Sequence, residues 1–380
     1  MTSGKTVMLF GLGDLGGWLL EFLAREDGIG TIITLDNREQ WGALKTQGAA
    51  AGSGHMGYDK TIRFEQCDLL TDMDKATELL SKYNPDFIYS SMGLLSPTLL
   101  RFLPHDVHQK LEGMSGHLIP NQYILISKLM KAVKKSGVTA PVLNNSWPDI
   151  VNPMLWRNDL GPLVGAGNLD IVVAYMRWRV SITENIPISQ ITIYFIGEHS
   201  VTMQGSRTGI PYYLKILKGE EDITGKFDAD SLVSEYILPG MTGDTASWIV
   251  RPTVASCAAR LIMAILNDTN ELTHAPGPNG MIGGYPIRAG ARGVEVVLPE
   301  GITMEEAIKI NTDSMKREGV EEIREDGSLV LTDEAQEVGK ELLGVDWKEI
   351  PIADIEDFCW EGLKAYKKLA EKYGTPAHIY

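Results

Sequence analysis

Two groups of residues in this sequence have the types and spacing of working chemistry. The first is Gly11-Leu12-Gly13-Asp14-Leu15-Gly16, which follows an apolar run at Thr6–Phe10 and leads into helical periodicity at Gly16–Arg25. A first glycine permits a tight turn, a second lets backbone approach a pyrophosphate, and a third lets helix and strand pack closely. The helix N-terminus then offers N–H groups and a partial positive charge to phosphates. Asp36 closes the next β-branched run, Thr31–Leu35, about twenty residues beyond Gly16, where an acid accepts the ribose hydroxyls of an adenosine. Glycines alone predict a turn; glycines with Asp36 predict a dinucleotide site. An acid there repels a 2′-phosphate, so NAD is expected over NADP, with Arg38 close enough to moderate the preference. Asn37, the Ser91-Met92-Gly93 segment after a later strand, and Asn144 are expected to complete this site.

The second group is Gly197-Glu198-His199-Ser200, immediately after an alternating strand pattern at Gln190–Ile196. Gly167-Asn168-Leu169-Asp170 opens the helix before that strand, which predicts Asp170 within reach of His199. A carboxylate beside an imidazole fixes its tautomer and stabilises the imidazolium, as an acid/base partner to a redox step requires. A lone histidine is more often a satisfied structural residue; the strand-end position and the acid favour function here.

The elements that must hold these residues alternate in the first half. Strand patterns at Thr6–Phe10, Thr31–Leu35, Arg63–Cys67, Asp86–Ser90 and Pro141–Asn145 are interleaved with helical ones at Gly16–Arg25, Asp72–Tyr83 and Pro120–Ser136. Such alternation predicts an α/β fold with an N-terminal Rossmann-type, doubly wound parallel sheet. The second half predicts a C-terminal α+β region. It has a long helix over about Trp248–Leu266, paired strands over Ile287–Leu298, a hairpin at Asp326-Gly327, a cap at Thr332 and a helix over Ile355–Tyr373. The division is expected near Trp147–Pro153, giving a cofactor-binding domain over residues 1–150 and a catalytic domain over 151–380.

Composition sets outer limits. The 380 residues carry a formal charge of −15, which disfavours nucleic acid and anionic membranes as partners. No window reaches the roughly 18 apolar residues of a bilayer span, and Cys67, Cys257 and Cys359 are odd in number and far apart, as expected of free thiols in a reducing, cytoplasmic setting. No HxH, HExxH or CxxC spacing occurs, so no metal is expected.

With these blocks in hand, the chain resembles the lactate/malate dehydrogenase family. The glycine turn, Asp36, Gly113-Met114 to Asn121, Val142-Leu143-Asn144-Asn145 with Pro148-Asp149, the Gly165–Asp170 segment, Gly197-Glu198-His199 and Gly243–Trp248 occur in the family's order, over roughly residues 5 to 300. The resemblance implies a lactate/malate-dehydrogenase-like C-terminal domain and hydride transfer between NAD and the carbinol carbon of a 2-hydroxy acid. It implies His199 as proton acceptor, Asp170 as its orienting partner, Asn144 or Asn145 at the reacting oxygen or nicotinamide, Thr245 lining the substrate pocket, and a homodimer or homotetramer.

The sequence also departs from the pattern. The family's carboxylate-binding arginine falls on Val173, which makes Arg177, one helical turn along, the first candidate for the clamp. Gly116 and His117 replace the expected loop arginine, leaving Arg101 in a long Gly93–Glu112 loop, with His105 and His108, and Arg207 as further candidates. Such a loop is expected to be a lid. The extension after about Gly319 has no counterpart. Two other readings stand beside this one: an extended short-chain enzyme, for which Tyr123 and Lys128 have the wrong spacing, and a catalytically idle NAD-binding sensor or scaffold.

Overall fold

A computed structural model describes residues 4–203, 209–234 and 244–375, with the side chains of 203 and 244–249 outside the description. Its organising element is a six-stranded parallel sheet in the order β3-β2-β1-β4-β5-β6. The strands are β1 (Lys5–Phe10), β2 (Ile29–Asp36), β3 (Thr61–Gln66), β4 (Phe87–Ser90), β5 (Val142–Asn144) and β6 (Val164–Gly165). In β1 successive side chains enter opposite cores. Met8 and Phe10 pack with Ile33, Leu35 and Ile88, whereas Val7 and Leu9 pack with Ile32, Phe87 and Tyr89. A strand buried on both faces is what a doubly wound sheet requires.

The helices are α1 (Asp14–Leu23), α2 (Glu39–His55), α3 (Met73–Tyr83), α4 (His105–Glu112), α5 (Ile119–Ser136), α6 (Pro148–Trp156) and α7 (Asn168–Glu184). α2, to which the sequence reading assigns no element, contains Gly42, Gly48, Gly52 and Gly54, each costing a helix about 1 kcal/mol against alanine. Its glycines and other small residues serve close packing instead. A Cβ on Gly42 would come within 2.2 Å of the Phe64 ring on β3, and Thr46 on the same face meets Thr34 of β2, Oγ1 to Oγ1, at 2.6 Å.

The Gly93–Glu112 segment is not the open loop expected. It folds as a 3-10 turn (Pro97–Phe102) followed by α4, and Leu99, Leu100, Val107 and Leu111 anchor it in the core. The segment around Trp147–Pro153 forms α6, and the sheet continues beyond it into β6.

After α7 come β7 (Ile191–Ile196), β8 (Tyr213–Lys218) and β9 (Glu221–Asp222) in an antiparallel sheet, then α8 (Ala229–Ser234) and the long α9 (Asp244–Leu266). A second antiparallel sheet holds β10 (Glu271–Pro276), β11 (Gly284–Gly290) and β12 (Gly293–Val296). α10 (Met304–Lys316) leads to the extension: β13 (Val320–Ile323), β14 (Leu329–Leu331), α11 (Asp333–Val338), β15 (Glu349–Ile350) and α12 (Ile355–Lys372). α12 buries Ile355, Cys359, Gly362, Tyr366 and Leu369, a spacing of one face. That face lies against α5, where the Cys359 thiol reaches Asn121 Oδ1 at 3.7 Å. The extension therefore covers the outer helix layer of the parallel sheet.

Candidate active site

The carboxyl ends of the parallel strands meet one crevice, because Leu35, Phe10, Ser90 and Asn144 lie side by side in register. The chain reverses its winding direction between β1 and β4, and open α/β sheets bind ligands at that point. The cleft there encloses about 1520 Å³, above the roughly 300–1,000 Å³ of an ordinary small-molecule site, which is room enough for a dinucleotide and a second small ligand.

The glycine turn fits a pyrophosphate. Gly11 adopts φ +93°, in the left-handed region. A Cβ on Gly16 would lie 1.9 Å from the Gly11 carbonyl oxygen, so only glycine allows α1 to start against β1. Gly13 lines the cleft and faces open space, with no atom within 4 Å of where a Cβ would stand. Asp14, Leu15, Asn37, Ser91, Met92 and Gly93 line the same cleft. Asp36 stands at the end of β2 with Oδ2 accepting from the Leu12 N–H at 2.8 Å and Oδ1 from the Arg38 N–H at 2.9 Å. Burial works against its charge, but hydrogen bonds and charge from Arg38 outweigh burial and keep the carboxyl below its usual range.

Asn145 opens to the cleft, with Tyr89 Oη donating to its Oδ1 at 3.2 Å. Asn144 does not. It is fully buried, its Nδ2 donates to Asn152 Oδ1 at 2.9 Å and its Oδ1 accepts from the Ser146 N–H at 2.9 Å, so it shapes the turn after β5 instead of meeting a ligand.

His199 lies in the turn after β7, lines the cleft, and keeps 16% of its side chain accessible. Its Nδ1 is held by Glu318 Oε1. That oxygen also accepts from Ser115 Oγ at 2.6 Å and Trp147 Nε1 at 2.9 Å. The Trp147 indole meets the imidazole edge-on at 4.6 Å between centroids. Trp147 itself has φ +45°, a backbone strain characteristic of residues whose position is fixed by a site. With Nδ1 committed, Nε2 is the nitrogen left for a ligand. Burial lowers the imidazole's pKa, but the carboxylates of Glu318, Asp149 and Glu112 outweigh it and raise the value to about 9. Glu318 shows the reverse: burial raises it, His199 overrides, and it falls to about 2. Glu198, hydrogen-bonded to Glu318, is driven well upward by burial and by that neighbour's charge. Asp149, fully buried and held by Asn168 Nδ2, is pushed up to about 6 by burial.

The expected Asp170–His199 pair does not form. Asp170 instead faces His274, with Nδ1 at 4.0 Å, and Cys257. Burial and the charges of Arg260 and Arg177 hold that second histidine down at about 3, in its neutral form. Helical geometry explains the correction. Asn168 and Ile171 of α7 line the cleft, and Asp170 is about 200° around the axis from Asn168. Arg177, seven residues further, returns to Asp170's face, where its Nη2 donates to the Ile188 carbonyl at 3.0 Å. Neither can reach a ligand beside His199. Arg101 does line the cleft. Arg207 and Gly243 lie outside the described residues, as does the side chain of Thr245.

Four residues of this arrangement have no role assigned to them from sequence. Glu318 sits in the charged run Lys316–Glu322 with nothing to mark it. Asp149 and Trp147 belong to a segment legible only as a turn. Arg251, on α9, lines the cleft beside Arg101, with Nη2 donating to Thr98 Oγ1 at 3.1 Å.

No protein-family model matches the sequence, and no curated sequence is similar to it. Solved structures share its fold. Malate dehydrogenase from Picrophilus torridus aligns over 83% of this chain and 96% of its own, with a TM-score of 0.60 and 18% identity. Lactate dehydrogenase from Eimeria maxima, solved with NADH and oxamate, aligns over 83% and 92%, with a TM-score of 0.59 and 16% identity. Malate dehydrogenase from Cryptosporidium parvum gives 82% and 96%, a TM-score of 0.58 and 16% identity. The chain has the fold of the lactate and malate dehydrogenases. Among the described residues, no helix is long and apolar enough to cross a membrane.

Proposed function

We propose that this chain is an NAD-dependent oxidoreductase acting on the CH–OH group of a 2-hydroxy acid or a related hydroxy compound. The observation that carries the reading is a single cleft lined both by the glycine turn and by His199, with a buried carboxylate on the far side of the imidazole. The bound nicotinamide supplies the two-electron step, which no side chain here can perform. His199 moves the proton: Nε2 gives it to the carbonyl oxygen during reduction and takes it back during oxidation. Glu318 keeps the Nδ1–H in place and stabilises the imidazolium, the task first expected of Asp170. Asn145, whose Oδ1 accepts from the Tyr89 hydroxyl, offers a hydrogen bond to the reacting oxygen or to the carboxamide. Arg101 and Arg251 supply the charge for a substrate carboxylate, since Arg177 is directed elsewhere. Ile171, Val250 and Val254 exclude water around the reacting atoms. A homo-oligomer of this chain, in the cytoplasm, is the expected setting.

The test is turnover of NAD with a panel of 2-hydroxy acids and related alcohols, followed by NADH absorbance. Turnover lost in His199→Ala while NADH still binds supports the enzyme. NADH binding with no turnover across the panel supports the idle sensor.

A further inference from the structure

The adenosine end of the cleft is less acidic than Asp36 alone suggests. Its carboxylate is nearly covered, with only 7% of the residue exposed. Both oxygens are taken: besides the two backbone N–H groups, Arg38 Nε lies 3.0 Å from Oδ1 and Nη2 lies 3.3 Å from Oδ2. Arg38 itself is open, with 56% of its side chain accessible. Its guanidinium lies 5.5 Å from the Trp41 ring centroid, and Nη1 has no protein acceptor among the described residues. A second cation adjoins it. Lys45 Nζ is 4.7 Å from the same ring and donates to the Gly13 carbonyl at 2.9 Å. Arg38 is also the N-cap of α2, whose end has no side-chain cap, so first-turn N–H groups point the same way.

Resting on the dinucleotide reading above, we propose that this end accepts a 2′-phosphate on the adenosine ribose, with Arg38 as its ligand, so that the chain binds NADP(H) as well as NAD(H). An exposed guanidinium is held on a carboxylate only weakly. A phosphate dianion offers it the bidentate geometry that suits its fork. Turning toward the phosphate frees the Asp36 oxygens for the remaining ribose hydroxyl. With a 2′-hydroxyl instead, Arg38 stays near Asp36 or gives way to the hydroxyl donor. Arg38 and Lys45 thus offset Asp36 and Asp14 at a point of an otherwise acidic chain.

The experiment is titration of the full-length protein with NADPH and NADH, read by calorimetry and by quenching of tryptophan fluorescence. Competition by adenosine 2′,5′-bisphosphate against ADP isolates the phosphate. The expected dissociation constants for the two dinucleotides agree within about tenfold. Arg38→Gln should weaken NADPH and the 2′,5′-bisphosphate by about tenfold or more and leave NADH unchanged or tighter, whereas Arg38→Lys should retain part of the affinity. Wild-type protein that binds NADH but takes NADPH more than about tenfold more weakly overturns the proposal. So does an Arg38→Gln variant that loses both dinucleotides equally. Binding of neither dinucleotide removes the dinucleotide reading, and this proposal with it.

Discussion

The two ends of the cleft are built on different length scales. The phosphate turn is a local object: Gly11, Gly13 and Gly16 shape one strand-turn-helix, and Asp36 is the next strand's last residue. The acid/base end is assembled from afar. His199 follows β7, Trp147 precedes α6, Ser115 precedes α5, and Glu318 arrives 119 residues beyond the histidine it holds. A local site can be recognised by spacing because the backbone alone enforces the geometry. A distributed site leaves no spacing to read, because tertiary packing determines which carboxylate arrives.

The largest effect should come from breaking the local end. Gly16→Val places its Cβ against the Gly11 carbonyl, backbone on backbone, with no flexible side chain to yield. NADH affinity should fall on the order of 100-fold, about 2.7 kcal/mol, measured by fluorescence titration, while circular dichroism shows the fold retained. Unchanged NADH binding would remove the turn from the cofactor site.

Glu318→Gln tests the distributed end. Oxidation needs neutral imidazole, so in the wild type its rate should rise with pH until about 9. Reduction needs the imidazolium and should be flat below about 9 and fall above it. Removing the Glu318 carboxylate takes away the largest influence that opposes burial and leaves only Asp149 and Glu112 to favour the imidazolium. The midpoint should therefore drop by more than one pH unit, with catalysis reduced on the order of 10²-fold. A pH profile that keeps its midpoint near 9 would show that Glu318 does not act through His199. Folding stability carries the same sign. The imidazole's raised pKa contributes stability in full below the usual 6.5, and that contribution is lost as pH rises through about 9.

This contrast explains what the sequence could disclose. β1, the glycine turn and α1 are contiguous and periodic, and the parallel sheet follows from five strands of the same kind. His199 was legible because a histidine directly after a strand projects from its end. Its partner was not legible. Asp170 is the nearer acid in sequence, but its position on α7 turns it onto the face opposite Asn168. α2 is not legible because small residues packed against Phe64 carry no hydrophobic stripe. Arg101 is legible as a clamp candidate, but the 3-10 turn that holds it is not, since the buried leucines that anchor that turn do not repeat at a helical period.

A smaller effect separates the two acids directly. Asp170→Asn leaves a buried amide against His274 and Cys257, and should lower stability by about 1–3 kcal/mol in urea unfolding. The pH midpoint of turnover should stay at about 9, because Glu318 and not Asp170 holds His199. A midpoint that moved as far as in Glu318→Gln would restore Asp170 to the catalytic end and erase the distinction between local and distributed sites.

The smallest effect concerns how the extension presents Glu318. Gly319, at φ +91°, turns the chain out of α10, and its carbonyl accepts from the Thr332 N–H at 3.0 Å. The Glu318 carbonyl likewise accepts from the Gly116 N–H at 3.2 Å. The backbone of the glutamate is thus held on both sides, independently of any side chain in the extension. Thr332 Oγ1 has a different task, accepting from the Ala335 N–H at 3.2 Å as the cap of α11. Thr332→Ala removes that cap and keeps the backbone bond to Gly319. It should cost about 1 kcal/mol of unfolding free energy and leave the pH midpoint where it was. If the midpoint falls with stability, Glu318 is positioned by the extension's overall rigidity. If stability falls alone, two backbone hydrogen bonds suffice to carry a carboxylate from the far end of the chain to the imidazole.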